Sequence, residues 1–342
     1  MKKVTSISKR KADHIRINLL EDVNSGINTG LYKYRFVHEA LPDIDLADVK
    51  TDLELFGKFL SSPILISSMT GGTPEAERIN IQLAQAAQEC RIAMGVGSQR
   101  AALESPPLSR TFDVRKYAPD ILLFANIGAI QLKNGFNLAD CMRAIDMINA
   151  DGLILHLNPL QEALQAEGDT NFKGLEKYIE SICRNISVPV IVKEVGWGIS
   201  ESTARKLLNC GVSVIDVAGA GGTSWSQVEM YDAKDENYRQ LAEAYKDWGI
   251  PTATSIINVK KAVPNMPIFA SGGLKNGIDM AKCFALGAVL AGSAGILLRA
   301  AAVSSEIVIN KIQLLRNQIK ITMFVTGSKR LTDLSNKLIY EE

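Results

Sequence analysis

The chain has 342 residues, 46% hydrophobic and 22% charged, which suits a globular protein with a large core. A formal net charge of +1 excludes the global basic field that draws nucleic acid, so any anion site has to be local. The five cysteines (Cys90, Cys141, Cys183, Cys210, Cys283) are odd in number and form no C-x-x-C pair, which argues against a disulfide or zinc framework and for reduced thiols packed as small hydrophobes.

Along the chain, the start MKKVTSISKRKADHIRI has no apolar h-region and reads as a basic helical extension, not a signal peptide. The most membrane-like stretch, FALGAVLAGSAGILL (284–298), is short, glycine-rich and ended by Arg299. A cytoplasmic chain without membrane or nucleic-acid partners is the expectation. From residue 63 onward, short β-rich runs recur: 63–69, 92–98, 121–128, 152–158, 189–195, 212–219, 267–273 and 288–294. Helical patterns separate most of them, as at 74–90, 138–150, 172–185 and 200–210. Strand alternating with helix implies parallel βαβ units, and eight of them predict an α/β fold, a closed (β/α)8 TIM barrel. The division expected is an N-terminal extension (1–62), a barrel (63–320) and a C-terminal tail (321–342). The stretch from about 220 to 266 is long for one return, which predicts an insertion after strand six, either a lid or a solvated excursion.

Nearly every polar residue of these runs lies in its last half, and barrel chemistry gathers at the carboxyl ends of the strands. In GLILHLN (152–158), alternation puts Leu153, Leu155 and Leu157 on one face and Ile154, His156 and Asn158 on the other. The leucines suit the helix layer, so His156 and Asn158 should point into the barrel top. Pro159 then stops the strand, and Gln161 and Glu162 follow in the loop. Lys193 shares a face with Ile191 and Val195, and an inward ammonium needs a partner or a task. An ion pair with Asp216, a Schiff-base role and a cation set against a cofactor all remain open from the residues alone.

The last two strand ends, Ala270-Ser271-Gly272-Gly273 and Ala291-Gly292-Ser293-Ala294-Gly295, are where barrels commonly hold a phosphate on backbone N–H groups. Arg10, Lys11 and Arg100 suggest a second anion site, and Glu162 beside a diphosphate could hold Mg2+ through oxygen.

Over nearly its whole length the sequence resembles the type II, flavin-dependent isopentenyl-diphosphate isomerases. The motifs are RKADH (10–14), RFVHEALP (35–42), MTGG (69–72), GSQR (97–100), HLNPLQE (156–162), KEVGWG (193–198), GGTSW (221–225) and ASGG (270–273). HLNPLQE together with KEVGWG is the most specific. The resemblance implies a barrel that binds FMN, with Mg2+ and a reductant such as NADPH. The reaction implied turns isopentenyl diphosphate into dimethylallyl diphosphate, with reduced FMN as the acid–base group. By motif, Ser68, Met69, Thr70, Ser98 and Asn126 would border the flavin, and Lys193 would face its N1/C2 edge. Thr223, Gly273, Lys275, Ser293 and Ala294 would hold its phosphate. Lys275 stands where the family often has Arg, which keeps the charge and loses the fork.

On the substrate side the resemblance points to Arg10, Lys11, Ser98, Gln99, Arg100, His156 and Asn158 for the diphosphate and to Glu162 for Mg2+. Gln161 would lie near the allylic carbon as a proton relay, and Trp225 would wall the hydrocarbon. Gln161, Lys193 and His156 are thus the catalytic candidates. The extension would close the substrate site, and the family forms tetramers or larger homo-oligomers. His14 belongs to the RKADH motif without an assigned role, and His38 reads as structural. The alternatives weighed are an FMN-dependent α-hydroxy-acid oxidase and a non-catalytic flavin-binding barrel. The oxidase needs a histidine base, and the segment after strand six has none.

Overall fold

The computed structural model describes residues 2–341. Eight parallel strands close a barrel: β1 (Ile64–Ile66), β2 (Ala93–Gly95), β3 (Leu123–Gly128), β4 (Gly152–Leu157), β5 (Val190–Glu194), β6 (Val214–Asp216), β7 (Ile268–Ala270) and β8 (Leu290–Ser293). They pair in chain order, with β8 returning to β1. Each strand is shorter than its β-rich run, because the polar and glycine-rich ends leave the ladder as turns. Gly196, Gly198, Gly272 and Gly273 take positive φ there, which side chains resist.

Alternation sorts the core into two layers. Leu65, Phe124, Ile154, Ile191, Val214 and Phe269 fill the barrel interior. Leu153, Leu155, Val190, Val192 and Ile215 face the surrounding helices. Phe124 and Phe269, both fully buried, meet inside the barrel with ring centroids 6.0 Å apart; truncating either to Ala would cost about 3–5 kcal/mol. A hairpin, Leu53–Leu55 with Lys58–Leu60, plugs the lower end with Leu53, Leu55 and Leu60. The open end is thereby left for polar side chains.

The helices are bounded by local signals. Pro74–Cys90 starts on Thr73, whose side chain accepts from the Ala76 N–H, with Pro74 in the first turn. Leu138–Ile148 opens with an Asn137/Asp140 capping box.

Two additions cover the mouth. The helix Lys2–Leu20 packs on the helix Trp225–Asp232 of the segment after β6 through Ile17, Val23 and Val228. A second helix of that segment, Glu236–Glu243, lies beside it. The helix Ser305–Phe324 runs through position 320, and beyond it the short strand Leu338–Tyr340 pairs antiparallel with Tyr34–Phe36. Among the described residues, no helix is long and apolar enough to cross a membrane.

Candidate active site

One cavity at the carboxyl end of the barrel is lined by all eight strand ends or the loops after them, together with Arg10, Lys11 and His14 from the N-terminal helix. Register explains the convergence on its floor. His156 of β4 stands opposite Lys193 of β5, and Lys193 opposite Asp216 of β6. Ile154, one inward position below His156, belongs to the dry interior, so the change from apolar to polar marks the bottom of the cavity.

Lys193 Nζ lies 3.6 Å from Asp216 Oδ2 and donates to the Glu194 carbonyl at 2.9 Å. Asp216 Oδ1 accepts from Ser271 Oγ at 2.7 Å. The ion pair and the cavity position therefore coexist: the ammonium is balanced from below and faces the cavity above. His156 Nδ1 donates to Asn126 Oδ1 at 2.8 Å. Burial, then the charges of Lys193 and Lys11, hold the His156 ring down to about 4, so it is neutral near pH 7.

A cationic cluster occupies one wall. Lys11 Nζ donates to the Ser98 carbonyl at 2.7 Å, and Arg10 Nη1 to Gln165 Oε1 at 2.8 Å. Burial first, then the neighbouring Arg10 and Arg100 charges, lower Lys11 to about 7, and Glu104 opposes the shift. Arg100 lies 2.8 Å from Glu104 through Nε and 3.4 Å from Asp169 through Nη1.

Joined to the cluster through the Arg10–Gln165 bond is a network of amides and carboxylates. Gln161 Nε2 donates to Glu229 Oε1 at 2.9 Å, and Gln165 Nε2 donates to the same oxygen at 2.7 Å. Burial raises Glu229 to about 7 against the lowering effect of those two hydrogen bonds. His14 Nε2 lies 3.7 Å from Glu229, and burial followed by Arg10 and Lys11 holds the ring down to about 3. The contact is thus a neutral imidazole against a carboxyl group near its midpoint. The His14 ring meets Trp225 edge-on at 5.3 Å.

Residues 134–341 match the family of FMN-dependent dehydrogenases. The chain is 51% identical over 328 residues to an isopentenyl-diphosphate delta-isomerase of Nostoc sp. (strain PCC 7120), covering 96% of this chain and 94% of that protein. It is 50% identical over 337 residues to one of Synechocystis sp. (strain PCC 6803), covering 98% and 97%. The chain belongs to the FMN-dependent isopentenyl-diphosphate delta-isomerase family. A mandelate oxidase crystallised with (S)-2-phenylpropionate superposes with a TM-score of 0.66 at 17% identity, covering 99% of this chain and 98% of that one. That likeness speaks for the barrel alone.

The cavity fits the groups that isopentenyl-diphosphate isomerases of this type would hold. Ser67 and Ser68 lie on its lining with buried hydroxyls that have no partner among the described residues. Gly295 lies on the lining, where a Cβ would come into van der Waals contact with Arg299 Nη2 at 3.7 Å and Thr223 Oγ1 at 3.9 Å. Thr223, Lys275 and Ser293 line the same end of the cavity, and a hydroxyl pair with an ammonium suits a phosphate. For a cation, Asn158 Oδ1 is buried without a partner while Asn158 Nδ2 donates to Glu162 Oε1 at 2.8 Å. An amide oxygen beside a carboxylate suits a hard divalent ion. His14, Glu229 and Asp232 also bring ligand atoms within 4.8 Å of one another, but Arg10 and Lys11 are close enough to depress His14 and would oppose a cation there.

Of the site residues expected for an isopentenyl-diphosphate isomerase, all but one line this cavity. The exception is Gln99. Its side chain is fully buried and turned away: Oε1 accepts from the Asn126 N–H at 2.8 Å and Nε2 donates to the Ala144 carbonyl at 2.8 Å. It therefore braces β3 from behind and touches no cavity space. His38 is exposed and lies off the cavity lining. Sequence reasoning missed Glu229, Gln165 and Gln131, all of which border the cavity or its network. Glu229 sits in a helix buried from Ser226 to Met230, and no apolar period in SWSQVEM announces which face turns inward.

Proposed function

We propose that the chain converts isopentenyl diphosphate to dimethylallyl diphosphate in this cavity. The diphosphate lies against Arg10, Lys11, Arg100 and His156, with Ser98 at the same wall. Glu162 and Asn158 would hold Mg2+, which would offset the charge of the diphosphate. Thr223, Gly273, Lys275, Ser293 and Ala294 would hold the FMN phosphate, and Ser68, Met69, Thr70, Ser98, Asn126 and Lys193 would border its ring; reduced FMN would supply acid–base chemistry.

The chain's own groups do the rest. The net reaction adds a proton at one end of the three-carbon unit and removes one two carbons away, so a proton must be held at one place and accepted at another. Glu229, buried and raised to about 7, sits near its midpoint at neutral pH and can both hold and release a proton, and Gln161 links it to the cavity. Lys193 provides a fixed positive charge on the floor, oriented by Asp216. Trp225 and the helix that carries Arg10 and Lys11 exclude water from the hydrocarbon. A nicotinamide reductant such as NADPH, a cytoplasmic setting and a homo-oligomeric assembly belong to the same reading.

The observation that carries the reading is Gln161, bonded to Glu229 on one side and to Asn158 on the other, whose amide also donates to Glu162. An anaerobic assay with isopentenyl diphosphate, Mg2+ and FMN, with and without reductant, tests it. Dimethylallyl diphosphate formed only with reductant is the expected result. FMN-loaded protein that forms no product in either condition would sink the proposal.

A further inference from the structure

Asp169 lies outside the cavity lining yet touches both sides of the anion wall. Its backbone N–H donates to Glu162 Oε2 at 2.7 Å. Its carboxylate Oδ2 accepts from Arg100 Nη1 at 3.4 Å and from Gln131 Nε2 at 3.2 Å. The turn that presents it is pinned, because a Cβ at Gly168 would fall 1.8 Å from the Glu162 carbonyl oxygen. Hence Gly168 allows the turn to lie directly on the short helix Pro159–Leu164, which brings Asp169 against Glu162.

We propose that Asp169 is a positioning and specificity-determining residue that makes the site select a metal-bound diphosphate over a free one. The inference rests on the reading above, in which Arg100 meets the diphosphate and Glu162 the metal. Two carboxylates, Asp169 and Glu104, flank the Arg100 guanidinium. A guanidinium has five donors, so the remaining N–H groups can still meet a phosphate oxygen. A bare diphosphate arriving there adds several negative charges beside Asp169 and has to compete with it for Nη1. A diphosphate whose charge is partly neutralised by a cation on Glu162 meets less repulsion. The backbone bond to Glu162 keeps that carboxylate in place to hold the cation. Asp169 thus penalises one form of the ligand through its side chain and supports the other through its main chain.

The test is calorimetric titration of the FMN-loaded full-length chain with inorganic diphosphate, with and without Mg2+, for the native protein, D169A and D169N. Removing the carboxylate is expected to tighten metal-free binding by about two- to fivefold, the range that partly exposed ion pairs carry. Binding with Mg2+ stays equal or weakens, so the enhancement by Mg2+ falls. D169N keeps an oxygen for Gln131 and Arg100 without the charge, and gives the same comparison if D169A folds poorly. Native protein that binds diphosphate while both variants bind it no more tightly without metal overturns the role of Asp169 alone. Native protein that binds no diphosphate under either condition overturns this inference together with the assignment of the anion wall.

Discussion

Gln161 and Glu229 stand 68 positions apart in the chain and meet at 2.9 Å over the barrel mouth, one from the short helix after β4 and the other from the helix Trp225–Asp232 after β6. The pair turns two separate loops into one acid–amide unit. Exchanging E229Q keeps the size and the contact and removes the ionisable group. Turnover should fall by about 10²–10⁴, the usual contribution of a positioned acid–base group, with FMN binding retained. An E229Q enzyme with native turnover would remove Glu229 from the proton route.

The same carboxyl group predicts a pH-dependent cost. Its folded value of about 7 lies above the ordinary 4.5. Below 4.5 it is protonated in both states and costs nothing. As pH rises from there through 7 the unfolded chain ionises first, so stability is lost across that window and the loss is complete above it. Denaturant titration should show E229Q equal to the native protein near pH 4 and more stable at pH 8. The gap at pH 8 should be at most roughly 3 kcal/mol, at about 1.4 kcal/mol per pKa unit. An equal gap at both values contradicts the burial of a proton on Glu229.

Lys11, lowered to about 7 by burial and by Arg10 and Arg100, is mostly neutral at pH 8. An anion beside it favours the charged form, so diphosphate binding at pH 8 should take up protons, approaching one per site. Calorimetry in two buffers of different ionisation enthalpy measures the uptake. It should shrink in K11R, whose guanidinium is always charged. Heats that agree in both buffers would mean that Lys11 is already protonated before binding.

Removing one member of the Lys193–Asp216 pair leaves the other buried without balance. D216N should lower unfolding free energy by about 3–5 kcal/mol, even though the Asn can still accept from Ser271. A loss under about 1 kcal/mol, as for an exposed pair, would show that the ammonium is balanced elsewhere.

Gln99 and Arg100 are neighbours with opposite expected phenotypes. Q99A leaves the Asn126 N–H unpaired in the interior, while the Ala144 carbonyl keeps its partner within the helix, and should cost about 1–3 kcal/mol of stability. R100A should leave stability nearly unchanged and weaken diphosphate binding. If the binding loss in Q99A exceeds that in R100A, Gln99 touches the ligand after all.

The barrel and its polar end were legible because both follow from periodicity. Ile154 below His156 on one face, with Leu153 and Leu155 on the other, is a statement about alternation that any fold must respect. The family motifs then placed Lys193 and Glu162 at the same mouth. The inward turn of Gln99 was not legible, because GSQR looks like one extended unit. In the fold, Gln99 (φ −84, ψ 4) immediately precedes the helix Arg100–Glu104 and its side chain swings into the protein. Glu229 and Asp169 were illegible for another reason: their partners Gln161 and Arg100 lie 68 and 69 positions away, and no local pattern encodes a contact at that separation.

The pairing of Tyr34–Phe36 with Leu338–Tyr340 also bears on how the catalyst comes into being. Tyr34 cannot find Tyr340 until some three hundred intervening residues have left the ribosome, and so large a loop closes slowly. The barrel strands are all made before then. The stretch downstream of Arg10 and Lys11 is therefore fastened last, so a nascent chain acquires its scaffold before this final clasp.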